Sequence, residues 1–417
     1  MEQAKTLSME QQAVSLSLLW KNSRFLCLAG AAILSSFAFS IYLMSETWYV
    51  IKGLNLDAKL GLILMATTIP RVLLMAIGGV AADRIRRSVI MSISSISRGL
   101  LVLVLAYLVF QGAASISILF VFACIFGILD SFFWPASNSI LPTLVTKEQL
   151  VRANSVLQTT NQLSFLLGPV IAGALIKFGS FKASFATAGI MIMLSGLFVL
   201  FMKEPKKNSS FKKTAGFFKD LKEGILYVKR VPYLLTSMIT SVIANLFLVG
   251  PMNAGLPLLV EGRFHGDVMD LSVIESSLAI GMLAGALFTG IVNFKRKRSI
   301  LSLSLIGTMA ILNGSVSQLN STTPALGILF TAGVCLAISN IIGPSITQQI
   351  VEPEMMGRVQ SLMSTASNGF TPISYALVAA LLTAGLSISV IMLVSSMLLL
   401  LWIVIILLTV KVVRTID

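Results

Sequence analysis

The chain has 417 residues, 56% of them hydrophobic and only 12% charged, with a formal net charge of +14. Soluble domains carry about 25% charged residues, so composition excludes a soluble globular fold and leaves a membrane protein of many spans. The positive charge does not point to nucleic acid, because Lys and Arg gather in short breaks between apolar segments rather than along one binding face.

Three cysteines (Cys27, Cys124, Cys335) lie far apart inside apolar segments, without ligand spacing, and read as small packed hydrophobes. The only histidine, His265, lies in a polar connection, so a histidine-based metal site or catalytic triad is excluded. Gly-x-x-x-x-Gly-Lys-Ser/Thr is absent, which removes ATP hydrolysis within this chain as an energy source. No cofactor, no metal and no enzyme active site is expected.

In chain order, residues 1–24 read as an N-terminal segment lying at the cytoplasmic interface rather than as a cleaved signal peptide. Apolar windows of about 20 residues then give twelve spans. Their limits are 25–46, 60–82, 88–110, 114–135, 153–176 and 182–202, then 233–260, 271–293, 299–318, 324–345, 360–383 and 387–410. The expected fold is therefore an all-α membrane protein. It divides into an N-terminal six-helix bundle (25–202), a basic linker (203–231), a C-terminal six-helix bundle (232–410) and a short tail (411–417). Prolines inside spans (Pro70, Pro169, Pro251, Pro257, Pro372) are tolerated where neighbouring helices re-satisfy the backbone. With both termini in the cytoplasm, only Lys52, Lys59, Lys177, Lys182 and Arg263 fall outside, as the positive-inside rule requires. The basic face also predicts contact with anionic lipids. Within the linker, Phe217, Phe218, Leu221, Ile225 and Val228 have helical spacing with lysines between them. That pattern predicts an amphipathic helix on the cytoplasmic surface, with Gly224 as a weak point.

The break between spans two and three reads Gly79-Val-Ala-Ala-Asp83-Arg84-Ile-Arg86-Arg87-Ser88. A degraded copy returns without gaps in the second half, Gly290 for Gly79, Arg298 for Arg87 and Ser299 for Ser88, which implies two homologous bundles. This tip resembles the Gly-x-x-x-Asp-Arg-x-Gly-Arg-Arg/Lys motif of the major facilitator superfamily, through Gly79, Asp83, Arg84 and Arg87. Arg86 stands where that motif has glycine, and Phe294 replaces the aspartate in the second copy. The resemblance implies close helix contact at Gly79 and a conformational latch in which Asp83 meets a basic partner. Span five carries Ser155-x8-Ser164-x3-Gly168-Pro169-x2-Ala172-Gly173, which is similar to the antiporter motif of the same superfamily, with Ser and Ala for three glycines. Small residues at these spacings permit close helix packing. The loop from Trp134 to Ser155, and its counterpart from Pro344 to Ser361, resemble the macrolide-efflux and enterobactin-exporter branch.

Ionisable residues inside spans are costly and are functional candidates. Asp130 in span four and Arg98 in span three lie at similar depth and can pair, either as a structural salt bridge or around a carboxylate that carries the coupling proton. Arg71 follows Pro70 and is a candidate anion contact or partner for Glu46 or Asp130; Glu46 and Glu275 lie near outer span ends, where exposure is cheap. Phe37, Tyr42, Phe126, Asn161, Phe247, Phe370 and Tyr375 are candidates for an apolar, adaptable cavity, with plain packing as the alternative for each. The resemblance implies a monomeric transporter of the bacterial cytoplasmic membrane. It would export an amphipathic small molecule, a drug such as a macrolide or a secondary metabolite, in exchange for protons by alternating access. A siderophore or lysophospholipid cargo is the alternative. A membrane sensor is a weaker one, since no long soluble appendage is seen.

Overall fold

The computed structural model describes residues 19, 21–202, 204, 217–292, 297–352 and 355–410. Helices make up these residues almost entirely, and no strand occurs among them. Among the described residues, eleven helices are long and apolar enough to cross a membrane.

In chain order, α1 spans Ser23–Trp48 and runs into a π-turn at Tyr49–Gly53. The next helices are α2 (Leu60–Arg84), α3 (Arg87–Phe110), α4 (Ile116–Leu144), α5 (Lys147–Phe178) and α6 (Phe181–Leu200). The linker helix α7 covers Phe217–Arg230. Then come α8 (Pro232–Ala244), a π-turn at Asn245–Val249, α9 (Gly250–Gly262), α10 (Val268–Ile291), α11 (Arg298–Val316) and α12 (Thr322–Ile350). The chain closes with α13 (Met356–Gly369), α14 (Thr371–Thr383) and α15 (Ile388–Thr409).

Side chains next to the ends set several boundaries. Asn22 Oδ1 accepts from the N–H groups of Arg24 and Phe25 at 3.1 and 3.3 Å and starts α1. Thr146 with Gln149, and Asp267 with Asp270, form capping boxes that open α5 and α10. At the start of α3, Glu204 Oε2 accepts from Ser88 N–H at 3.0 Å and Ser88 Oγ at 2.8 Å. A carboxylate at a helix N-terminus is favoured by the exposed N–H groups and the helix dipole.

The chain forms two compact units, Met1–Tyr49 with Ala66–Ser209, and Val50–Met65 with Ser210–Asp417. The strongest packing inside the first is α3 on α6 and α1 on α5 and α6; inside the second it is α10 on α12 and α11 on α12 and α15. Val50–Met65 joins the second unit because Gly61 lies against α14, where a Cβ would come 2.7 Å from the Tyr375 carbonyl and 3.0 Å from Ala379. Both units use the same close crossing. Gly127 of α4 sits on the Thr67 carbonyl of α2, and Gly333 of α12 sits on the Leu278 carbonyl of α10. Only a residue without Cβ allows backbones that near.

Two expectations change. The segment 360–383 is not one helix: it breaks at Phe370 into α13 and α14. Pro372 lacks an N–H and its ring clashes with the carbonyl four residues back, which weakens a helix at this point without by itself ending it. Thr371 and Ser374 instead turn their hydroxyls to the π-turn after α8, Thr371 Oγ1 donating to Asn245 Oδ1 at 3.4 Å and Ser374 Oγ to the Leu246 carbonyl at 2.6 Å. The linker carries a helix over Phe217–Arg230, and its C-terminal part packs on protein. Val228 is buried among Ile338, Ile346 and Val359. Glu223 pairs with Arg358 of α13 at 2.7 Å, and Gly224 faces Arg358 at ordinary van der Waals distance. The side chains of Phe217, Phe218 and Leu221 lie outside the described residues.

Arg263 follows α9 and ties three helix ends of the second unit together. Its guanidinium donates to the Ser317 and Gln318 carbonyls at 2.6 and 3.1 Å, to Asn320 Oδ1 at 2.8 Å and to Ser389 Oγ at 3.2 Å. A cation over the last carbonyls of α11 is well placed against the helix dipole. Arg263→Ala is expected to cost about 1.5 kcal/mol and lower the melting temperature of the purified protein. Arg263→Lys should recover only part of that, because an ammonium cannot fork to several acceptors. An unchanged melting curve for Arg263→Ala would contradict the staple.

Candidate functional site

The buried charges of the first unit come together around Asp130. It projects from α4 and is 1% exposed; Arg98 of α3 is 2% exposed and its Nη1 donates to Asp130 Oδ1. Arg71 of α2 adds a second cation, its Nε 3.2 Å from Asp130 Oδ2, at ion-pair distance though not in hydrogen-bond alignment. One carboxylate therefore stands between two guanidinium groups. Removing these charges from water is repaid only by their mutual attraction and by good geometry. Aromatic faces supply part of the rest: Arg98 stacks over Phe133 at 4.7 Å and Phe126 at 5.6 Å. Arg71 lies over Phe39 at 5.8 Å and Trp134 at 5.9 Å.

Asp130 and Arg98 form part of the wall of a cavity of about 320 Å³ within this unit. Phe39, Phe133, Trp134 and Phe165 give it aromatic surface, and Ser36, Gln158 and Asn161 give it hydrogen-bonding groups. Ser36 Oγ donates to Asn161 Oδ1 at 2.7 Å and fastens α1 to α5 across the cavity floor. The antiporter-like residues occupy the same seam. Ser164 is buried, lines the cavity and donates to the Thr160 carbonyl at 2.8 Å. Gly168 receives the Ser40 side chain, and Pro169 and Gly173 are buried, whereas Ser155 is exposed.

The other candidates fall elsewhere. Glu46 is not near water as its place in the sequence suggested: α1 continues past it, and it is 1% exposed. Its Oε1 accepts from Tyr42 O–H at 2.6 Å, while Oε2 has no partner among the described residues. Tyr42 stacks on Phe126 with centroids 4.4 Å apart, and both rings are closed into the core behind the cavity. Glu275 is half-buried on α10. Phe37 is half-buried on α1. Phe247 packs on the apolar core of the second unit. Tyr375 accepts from Asn253 Nδ2 at 2.9 Å. Phe370 is 38% exposed at the helix break.

At the hairpin tip, Arg84 is exposed and Arg87 half-buried, while the side chain of Asp83 lies outside the described residues, as does Phe294 in the second copy. Close helix contact there comes from Gly78, seated on the Ser131 carbonyl; a Cβ at Gly79 would meet nothing within 4 Å. The aromatic wall of Phe39, Phe133 and Phe165 was missed from sequence. One signal was available: Leu28, Ala32, Ser35, Ser36 and Phe39 recur at helical spacing, a stripe too polar and too mixed in size to face lipid.

Comparison with known proteins bears on what this geometry serves. The description Major Facilitator Superfamily matches residues 28–370. The chain belongs to the major facilitator superfamily. Among its relatives in the superfamily, Macrolide efflux protein A of Streptococcus pyogenes is 25% identical over 362 residues, 85% of this chain and 88% of that protein. Multidrug efflux pump Tap of Mycolicibacterium fortuitum is 25% identical over 381 residues, 88% of this chain and 90% of the pump. The solved nucleoside transporter NupG matches 92% of this chain and 98% of its own with a TM-score of 0.70 at 13% identity. A bacterial homolog to the human lysosomal transporter Spinster, inward-facing and occupied, gives 0.69 at 16% identity over 94% of this chain and 97% of its own. At such identities the structures show the shared fold alone: the helical, multi-span major facilitator architecture.

Proposed function

We propose that this member of the superfamily exports an amphipathic, macrolide-like small molecule across the bacterial cytoplasmic membrane in exchange for protons, by alternating access. Both termini would face the cytoplasm, anionic lipids would contact the basic loops, and the working unit would be a monomer. Full-length similarity to a macrolide efflux protein and a multidrug efflux pump supports the cargo class.

The observation that carries the reading is the placement of Asp130. A buried carboxylate at a cavity wall, held between Arg98 and Arg71, couples protonation to the shape of that wall. A proton on Asp130 cancels the one negative charge in the cluster and frees both guanidinium groups from it. Arg71, 30% exposed, then has room to move, whereas Arg98 stays packed in the cavity wall against Phe133 and Phe126. Aromatic rings beside polar groups suit a cargo that is apolar in part and polar in part. Two cations against one anion also favour a second reading, a cargo with an acidic group such as a siderophore or lysophospholipid.

Expression of the chain in an efflux-deficient bacterium should lower accumulation of a macrolide or a hydrophobic dye, and a protonophore should restore it. Equal accumulation with and without the chain, across macrolides, dyes and acidic amphiphiles, would refute the proposal.

A further inference from the structure

The second unit holds a larger cavity, of about 540 Å³, whose chemistry is unlike that of the first. Among the described residues no charged one lines it, and Tyr233 is its single aromatic. More than half of its lining residues bear a hydroxyl or a carboxamide, while most of the surface they leave open is apolar and includes a strip of Ile306, Met309 and Leu336. It is built where the backbone is least regular. Its α8 wall runs into the π-turn Asn245–Val249, and its α13 wall ends at the break before Thr371. Interrupted spans mark binding sites in transporters, because irregular backbone is tolerated only where protein or a cavity satisfies it.

Some of the polar wall is already committed. Ser241 pairs with Ser367, Ser302 with Ser339, and Asn245 Nδ2 donates to the Ser241 carbonyl. Ser237, Asn340 and Gln360 are different: their side chains line the cavity and make no hydrogen bond among the described residues. A carboxamide offers two donors and one acceptor, and a hydroxyl offers both kinds. A charged ligand would meet no counter-charge here and would lose its hydration. A purely apolar ligand would strand these groups without partners. A compact group that is uncharged and rich in hydroxyls satisfies them, and its C–H face can lie on the apolar strip.

From these features we propose that the second unit's cavity binds a neutral, hydroxyl-rich moiety of the kind a glycosyl ring presents. The inference rests on the transport reading above and narrows its cargo to molecules bearing such a group.

The test uses the purified full chain in detergent-free lipid nanodiscs, with a fluorescent neutral coumarin glucoside as one probe and the cationic dye rhodamine 6G as the other. Wild type should bind the glucoside saturably. Asn340→Leu combined with Gln360→Leu should weaken it about tenfold, two neutral hydrogen bonds being worth roughly that much. Both side chains are exposed to the cavity, so the variant should fold, and an unchanged melting temperature checks this. Rhodamine binding should change less than about twofold. No saturable glucoside binding to wild type, or equal loss of both probes in the variant, would overturn the proposal. Glucoside binding without protonophore-sensitive export in cells would instead leave this site standing and refute the transport reading.

Discussion

Asp130→Asn should cost about 3–5 kcal/mol of stability, the largest penalty expected of any single charge change in this chain. The reason lies with Arg98 more than with the aspartate itself. Arg98 is 2% exposed and its guanidinium donates to Asp130 and, at 3.4 Å, to Ser95 Oγ. Asparagine is nearly the same size as aspartate, so the packing survives while a buried cation loses its counter-charge. Arg71 is less affected, since it is 30% exposed and keeps its aromatic neighbours. Removing both members of the buried pair, Arg98→Gln with Asp130→Asn, leaves no stranded charge and should restore most of the loss, because replacing a buried pair is far cheaper than breaking one. Thermal unfolding of the detergent-purified single and double variants reads the difference directly. A double variant no more stable than Asp130→Asn would show that Arg98 is not the group left uncompensated.

Gly127→Leu and Gly333→Leu are each expected to abolish transport, and to reduce the amount of folded protein, while Gly79→Ala does neither. In both units a close crossing, α2 with α4 and α10 with α12, brings a glycine onto a carbonyl oxygen of the partner helix, Thr67 in one case and Leu278 in the other. Backbone cannot move aside as a flexible side chain can. Overpacking typically costs about 1–3 kcal/mol, and here even one methyl would force the helices apart. Gly79 belongs to the motif that resemblance singles out, yet a Cβ there has open space within 4 Å among the described residues. Drug accumulation and membrane protein level, measured together for the three variants, test the point. Full activity in Gly127→Leu would contradict the close crossing, and loss of activity in Gly79→Ala would assign that glycine a role beyond packing in the form described here.

Much of the architecture was legible because hydropathy reports span length well: the breaks after Phe110, Phe178 and Ile291 fall close to where apolar runs give out. The pairing of Arg98 with Asp130 was also legible, since two adjacent antiparallel spans place equal distances from a shared turn at equal depth. What escaped has a common physical origin. In a membrane, both the lipid face and the core face of a helix are apolar, so periodicity separates them poorly. Glu46 illustrates this, for the run of α1 into the π-turn encloses a carboxylate that composition would place near water. The helix break at Phe370 was hidden in the opposite way. Gly369 and Pro372 are visible in the sequence, but prolines also sit inside unbroken helices here, as Pro70 and Pro169 do. Only the hydroxyls of Thr371 and Ser374, turned to the π-turn that follows α8, show why this one interrupts.

The central claim is that protonation within the Arg98–Asp130 pair couples export to the pH gradient. It is tested most directly in proteoliposomes with an acidic interior, by the uptake of a neutral fluorescent substrate above that of protein-free liposomes. Wild type should show gradient-driven uptake, and the Arg98→Gln/Asp130→Asn double variant should show none while still exchanging substrate in the absence of a gradient. Gradient-driven uptake that persists undiminished in the double variant, at equal protein content, would contradict the account.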